Sequence, residues 1–133
     1  MPVVVQTLSA PTRQDRDDLQ KIYHDAPHWL FAPYEDSQSL IDACLGDTTL
    51  IAARFNDRLL GAARLRQQDS VWHLSHLCVR TITRRRGVGE RLVCEARKLA
   101  EQSGAKLHLL APAGHLEAQA LAAKLHLPLD LAP

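Results

Sequence analysis

No run of apolar residues in this sequence approaches the roughly 20 that cross a bilayer as a helix, so no membrane span is expected. An excess of charge of either sign is also missing. Sixteen lysines and arginines stand against 15 aspartates and glutamates, a formal +1 with histidines neutral. That balance excludes a global field drawing the chain to nucleic acid or an acidic membrane, so any basic function is local. Cysteine is scarce: Cys44, Cys78 and Cys94 form an odd set with no Cys-x-x-Cys spacing. A disulfide framework and a zinc site are therefore not expected, and reduced thiols are. The N-terminal segment puts no basic region ahead of its short apolar run and does not read as a secretory signal, so the cytoplasm is the expected location. Repeats and low-complexity linkers are absent as well, and one domain is expected over residues 1–133.

What is present suffices for a hydrophobic core: 133 residues, 46% of them apolar. Residues 3–8, VVVQTL, suit a first strand. A helix follows, capped by Ser9 or Thr12, striped by Leu19, Ile22 and Tyr23, and ended by Pro27. Leu40, Ile41, Cys44 and Leu45 share one face of a second short helix that stops near Gly46. Asn56-Asp57 is turn chemistry between two strand-like runs, so residues 48–67 read as a β-hairpin. A third strand, VWHLSHLCVR, comes next. Val88, Leu92, Val93, Ala96, Leu99 and Ala100 then define an amphipathic helix ending near Ser103-Gly104. A short strand around KLHLLA, a helix over HLEAQALAAKL and a strand fragment complete the chain. This order implies an α/β protein with a mixed, largely antiparallel central sheet flanked by helices.

The segment carrying chemistry is TRRRGVGERLV, residues 83–93. It joins a strand to the first turn of a helix. There the backbone N–H groups lack intrahelical partners and the macrodipole is positive. Gly87 and Gly89 let an anion approach the backbone, and Arg84, Arg85 and Arg86 add charge-assisted donors for phosphate oxygens. A phosphate-loop signature is missing. The dinucleotide fingerprint is incomplete, because Arg91-Leu92 stands where its third glycine belongs. Solvated arginines beside a simple glycine turn remain the structural alternative. Nucleic-acid binding is disfavoured by the lack of interleaved aromatics.

Arg84-x-x-Gly87-x-Gly89, placed after a strand and opening a helix, resembles the signature of the GCN5-related N-acetyltransferases (GNAT), whose element order matches nearly the whole chain. The resemblance implies the compact GNAT fold and binding of acetyl-CoA or CoA. Backbone groups of Leu77, Cys78 and Val79 would face the pantetheine and thioester. Thr83, Arg84, Arg85, Arg86, Gly87, Val88, Gly89 and Glu90 would wrap the pyrophosphate. Within that superfamily, QDRDDLQKI, AARFNDRLL and TRRRGVG resemble the PanZ (PanM) family of acetyl-CoA sensors. That resemblance implies a partner, aspartate 1-decarboxylase as zymogen or mature enzyme in pantothenate and coenzyme A biosynthesis. It also makes Arg54 and Asn56 the candidate partner-binding residues.

Catalysis is the competing expectation. Many GNAT enzymes place an acid tyrosine in the last helix, and none stands there. His76 and His73 are the candidate bases of an active N-acetyltransferase. Three apart on a regular strand they face opposite sides, so they are not expected to share a metal. His108, His115 and His126 give no constellation, and metal ligands are expected nowhere. Cys78 reads as a small buried apolar residue. Trp29, Phe31 and Tyr34 form an aromatic loop cluster packed over the sheet.

Overall fold

The computed structural model describes residues 3–24, 26–81 and 87–132. Among them the strands are β1 (Val4–Thr7), β2 (Leu50–Phe55), β3 (Arg58–Arg66), β4 (Val71–Val79), β5 (Lys106–Ala111) and β6 (Leu129–Leu131). The helices are α1 (Arg13–His24), α2 (Ser37–Gly46), α3 (Val88–Gln102) and α4 (Leu116–Leu125), with a short 3-10 helix at His28–Phe31. The strands lie in one sheet in sequence order. β1 to β4 pair antiparallel, whereas β5 and β6 join in parallel through the α3 and α4 crossovers. The expected mixed α/β sheet is the one observed. The 3-10 helix inside the aromatic loop is the element that periodicity missed.

Local chemistry accounts for the helix boundaries. Thr12 Oγ1 accepts from the Asp15 N–H and Asp15 Oδ2 accepts from the Thr12 N–H, both at 3.1 Å, closing a capping box at the start of α1. Asp36 Oδ1 accepts from the Ser39 N–H at 2.8 Å and caps α2. Gly87, at φ 80°, turns the chain into α3 through the left-handed region, which costs a residue with a Cβ about 1–2 kcal/mol.

Both sheet faces are covered. α3 packs on one, against Ile51, Leu65, Leu74 and Leu109, burying its own Leu92, Val93 and Ala96. α1 and α2 pack on the other, where Leu19, Ile22, Leu40 and Cys44 meet Leu50, Ala62 and Cys78. β3, central and covered twice, is therefore almost continuously apolar from Leu59 to Leu65, with Arg64 the exception. Two acid–arginine pairs tie α1 to the β2–β3 hairpin. Asp15 meets Arg54 at 3.0 Å, and Asp18 meets Arg58 at 2.7 Å while also accepting from the Leu59 N–H at 3.0 Å.

Gly61 sets how closely α3 approaches the sheet. A Cβ there would lie 3.1 Å from both Leu92 Cδ1 and Val88 Cγ1 and 3.2 Å from Val79 Cγ2. Gly61→Val is expected to destabilise by about 2 kcal/mol through overpacking, read as a lower midpoint in urea unfolding with the slope unchanged.

Candidate functional site

The site is built where β4 and β5 part. Their pairing runs from Val71↔Lys106 to Leu74↔Leu109 and stops. β4 continues to Val79 and β5 to Ala111, so a slot opens between them, lined by Leu74, Leu77, Leu109, Ala111, Ala118 and Leu121. Its volume is 130 Å³ and most of its lining is apolar. At the same point β4 carries a bulge. Ala62 pairs with Cys78 and Arg64 with Ser75, which leaves His76 and Leu77 opposite Ala63 alone. His76 takes φ 56° to make this possible. Tyr23, fully buried on α1, donates its hydroxyl to the His76 carbonyl at 2.6 Å and pins the bulge from the core. Burial pushes the Tyr23 phenol well up, so it remains a donor at any physiological pH.

The bulge changes the geometry expected of the two histidines. His76 leaves the alternation and reaches the Ala32 carbonyl through Nε2 at 2.8 Å. Its Nδ1 lies 2.7 Å from Ser75 Oγ. A carbonyl only accepts, so Nε2 carries the hydrogen and Nδ1 accepts from the Ser75 hydroxyl. Burial lowers the His76 pKa, the Ala32 hydrogen bond opposes that, and the Arg64 and Arg66 charges lower it further. The ring is neutral at pH 7. Ser75, His76, Tyr34, Arg64, Trp29 and Pro33 line a second cavity of 330 Å³ beside the slot. Arg64, nearly buried, is held there by Asp47 at 2.6 Å, Thr49 at 3.1 Å and the Tyr34 hydroxyl. Trp29 stacks on His115 at 4.0 Å between ring centres and so links the aromatic loop to the start of α4.

The cradle expected for a pyrophosphate falls partly outside the described residues: Thr83, Arg84, Arg85 and Arg86 lie there. Gly87, Val88, Gly89 and Glu90 are described. They form the first turn of α3, at the same end of the sheet as the slot. A Cβ at Gly87 would meet nothing within 4 Å, and one at Gly89 only Val79 Cγ2 at 3.6 Å. Neither glycine therefore has a described neighbour closer than ordinary contact where a side chain would begin. Val88 sends its side chain into the core, so its backbone is what it offers a ligand. Glu90 pairs with Lys124 of α4 at 2.8 Å. Leu77 and Val79 pack toward α3, while Cys78 is buried on the other face with Sγ 3.2 Å from the Ile22 carbonyl. Of the two candidate partner residues, Asn56 is exposed at the hairpin turn, at φ 54°. Arg54 instead turns back to Asp15.

Sequence reasoning missed Ser75, Tyr23 and Arg64. It also separated residues that the sheet joins: His73 and His108 are register partners on β4 and β5, and both reach Asp130 on β6.

A largely antiparallel sheet that splays beside a bulged strand, followed by a glycine-opened helix, is the architecture of a GNAT domain. A structure of the PaiA N-acetyltransferase from Thermoplasma acidophilum in complex with coenzyme A is similar to this chain with a TM-score of 0.69, at 17% identity over 93% of this chain and 88% of that one. The model of the family described as "Acetyltransferase (GNAT) domain, PanZ" matches residues 2–129. The PanD regulatory factor of Escherichia coli K12 is 36% identical over 114 residues, 86% of this chain and 80% of that protein. The protein of the same description from Salmonella typhimurium LT2 is 39% identical over 95 residues, 71% and 66% of the two chains. The chain belongs to the PanZ family of GNAT domains.

Proposed function

We propose that this chain binds acetyl-CoA between β4 and β5 and, in that state, regulates aspartate 1-decarboxylase. The observation that carries the reading is the coincidence of three features at one end of the sheet: the apolar slot, the bulge that redirects β4, and the helix start opened by Gly87 and Gly89. The slot suits an extended, mostly apolar arm such as pantetheine. The first turn of α3 offers aligned N–H groups to a pyrophosphate, and Arg84, Arg85 and Arg86 just before it in the sequence would supply charge. Acetyl-CoA, when bound, brings a thioester whose acetyl group identifies the cofactor's loaded form. His76, neutral and held by Ala32 and Ser75, lines the slot where the cofactor's thiol end would lie in this reading.

The regulatory part of the reading rests on the relatives described as PanD regulatory factors and on the exposed hairpin turn. Asn56 presents its side chain there, whereas Arg54 acts through Asp15 to set the angle between hairpin and α1. Three free cysteines suit a reducing, cytoplasmic setting.

One observation favours acetyl transfer as the second reading. An amine in the 330 Å³ cavity would pass its proton through the Ser75 hydroxyl to His76 Nδ1, the one ring nitrogen able to accept it. Two measurements separate the readings. Calorimetry is expected to show one acetyl-CoA per chain, and thiol release across a panel of amines is expected to stay at the rate without protein. Release that saturates with one amine and is lost in Ser75→Ala would favour the enzyme.

A further inference from the structure

We propose that His73, His108 and Asp130 form a zinc site that fastens the last strand to the sheet, independently of the acetyl-CoA slot. The three residues come from three adjacent strands. His73 and His108 are register partners on β4 and β5, and Asp130 on β6 is the partner of Leu110, two residues along β5 from His108 and on the same face. Their neighbours Trp72, Leu74, Leu107 and Leu109 are buried toward α3. The two imidazoles and the carboxylate therefore stand on the opposite face, alongside the cover provided by α1 and α2.

His73 Nε2 and His108 Nδ1 lie 2.7 and 2.9 Å from the same oxygen, Asp130 Oδ2. The three potential ligand atoms all fall within 4.8 Å of one another. Bonds of about 2.0–2.1 Å in a tetrahedral arrangement place such atoms about 3.3 Å apart. For an ion to sit among them the carboxylate would withdraw by about half an ångström, and the two ring nitrogens, within 4.8 Å of one another, would settle to that same spacing. Side-chain exposures of 25%, 21% and 43% leave a route from solvent.

The donor set selects the metal. Two imidazoles are poor ligands for calcium or magnesium, and no thiolate is at hand to favour softer ions. Two nitrogens and one carboxylate oxygen, with the fourth position left to water, suit Zn²⁺. The consequence is mechanical. β6 has three residues and, among the described residues, pairs only with β5, so its hold on the sheet is short. An ion bound to Asp130 and to both neighbouring strands would clamp it directly to β4.

The test uses the full chain, stripped of metal by a chelator and free of acetyl-CoA. Zn²⁺ is titrated by calorimetry, and Co²⁺ replaces it for visible spectroscopy. The expected result is one equivalent bound with a micromolar Kd, tetrahedral Co²⁺ bands, and a Tm raised by roughly 5 °C in saturating zinc. His108→Gln, which keeps a donor for Asp130, and Asp130→Asn should each weaken binding at least about tenfold and remove the Tm shift. His24→Gln, at the exposed end of α1, should change neither. A stoichiometry below one, or wild type and His108→Gln binding equally, would overturn the proposal. Should a variant fail to fold, the wild-type cobalt spectrum and Tm shift decide the question alone: tetrahedral bands support the site and their absence refutes it.

Discussion

Gly89→Glu is expected to weaken acetyl-CoA binding by at least about a hundredfold while leaving the fold intact. The protein has room for the side chain. A Cβ at this position meets only Val79 Cγ2, at an ordinary 3.6 Å, and the residue sits in the first turn of α3, where glutamate is a good helix former and is favoured by the helix dipole. The ligand does not have room. The carboxylate would occupy the space before the helix start and compete with the pyrophosphate for the same N–H groups. One charge-assisted hydrogen bond is worth about 1.5–3 kcal/mol. Its loss, combined with like-charge repulsion at contact distance, exceeds the roughly 2.7 kcal/mol that corresponds to a hundredfold. Calorimetry gives the affinity, and an unchanged circular dichroism melt shows that the fold is kept. Wild-type affinity in this variant would remove α3 from the binding site.

Asp18→Ala is expected to carry the largest stability loss of any single polar substitution in α1, about 2–3 kcal/mol or roughly 10 °C in Tm. Asp18 is 1% exposed, receives Arg58 through Nε and Nη2 at 2.9 and 2.7 Å, and accepts from the buried Leu59 N–H at 3.0 Å. Arg58 is itself 44% exposed and relaxes into water when its partner is removed. Most of the cost is therefore the orphaned Leu59 N–H and the small cavity, rather than the lost ion pair. Asp18→Asn keeps an acceptor for that N–H and should lose about half as much.

The pH dependence follows from the same contacts. Burial pushes the Asp18 pKa up, but the Arg58 and Leu59 hydrogen bonds outweigh it and hold it below the ordinary 3.8. The folded value is thus below the unfolded one. Its stabilising contribution is complete above the unfolded pKa and disappears as pH falls through the folded value. Wild type and Asp18→Asn should therefore differ most near neutrality and converge in strong acid. Parallel Tm curves from pH 7 down to about pH 2 would contradict this.

The order of elements was legible because each segment states its own period. Leu92, Val93, Ala96 and Ala100 mark one face of α3 without help from the rest of the chain. The glycine-opened turn was legible for the same reason, being local. What stayed hidden depends on register between distant segments. Nothing in SHLCV marks His76–Leu77 as the point where one extra residue enters β4, since the partners that define it lie across the sheet in Ala63 and beneath it in Tyr23. His73 and His108 are 35 positions apart and meet only because two parallel crossovers align β4 with β5 and β6. Arg54 reads as an exposed hairpin residue until α1 is laid beside it, when Asp15, 39 positions away, turns it inward.

The most direct measurement is the self-cleavage of purified aspartate 1-decarboxylase zymogen mixed with this chain, followed with and without acetyl-CoA. Cleavage that is accelerated only when wild-type chain and acetyl-CoA are both present, and that Gly89→Glu fails to support, is the predicted result. Cleavage at the same rate with chain, without chain and with the variant would contradict the assignment of a cofactor-dependent regulator.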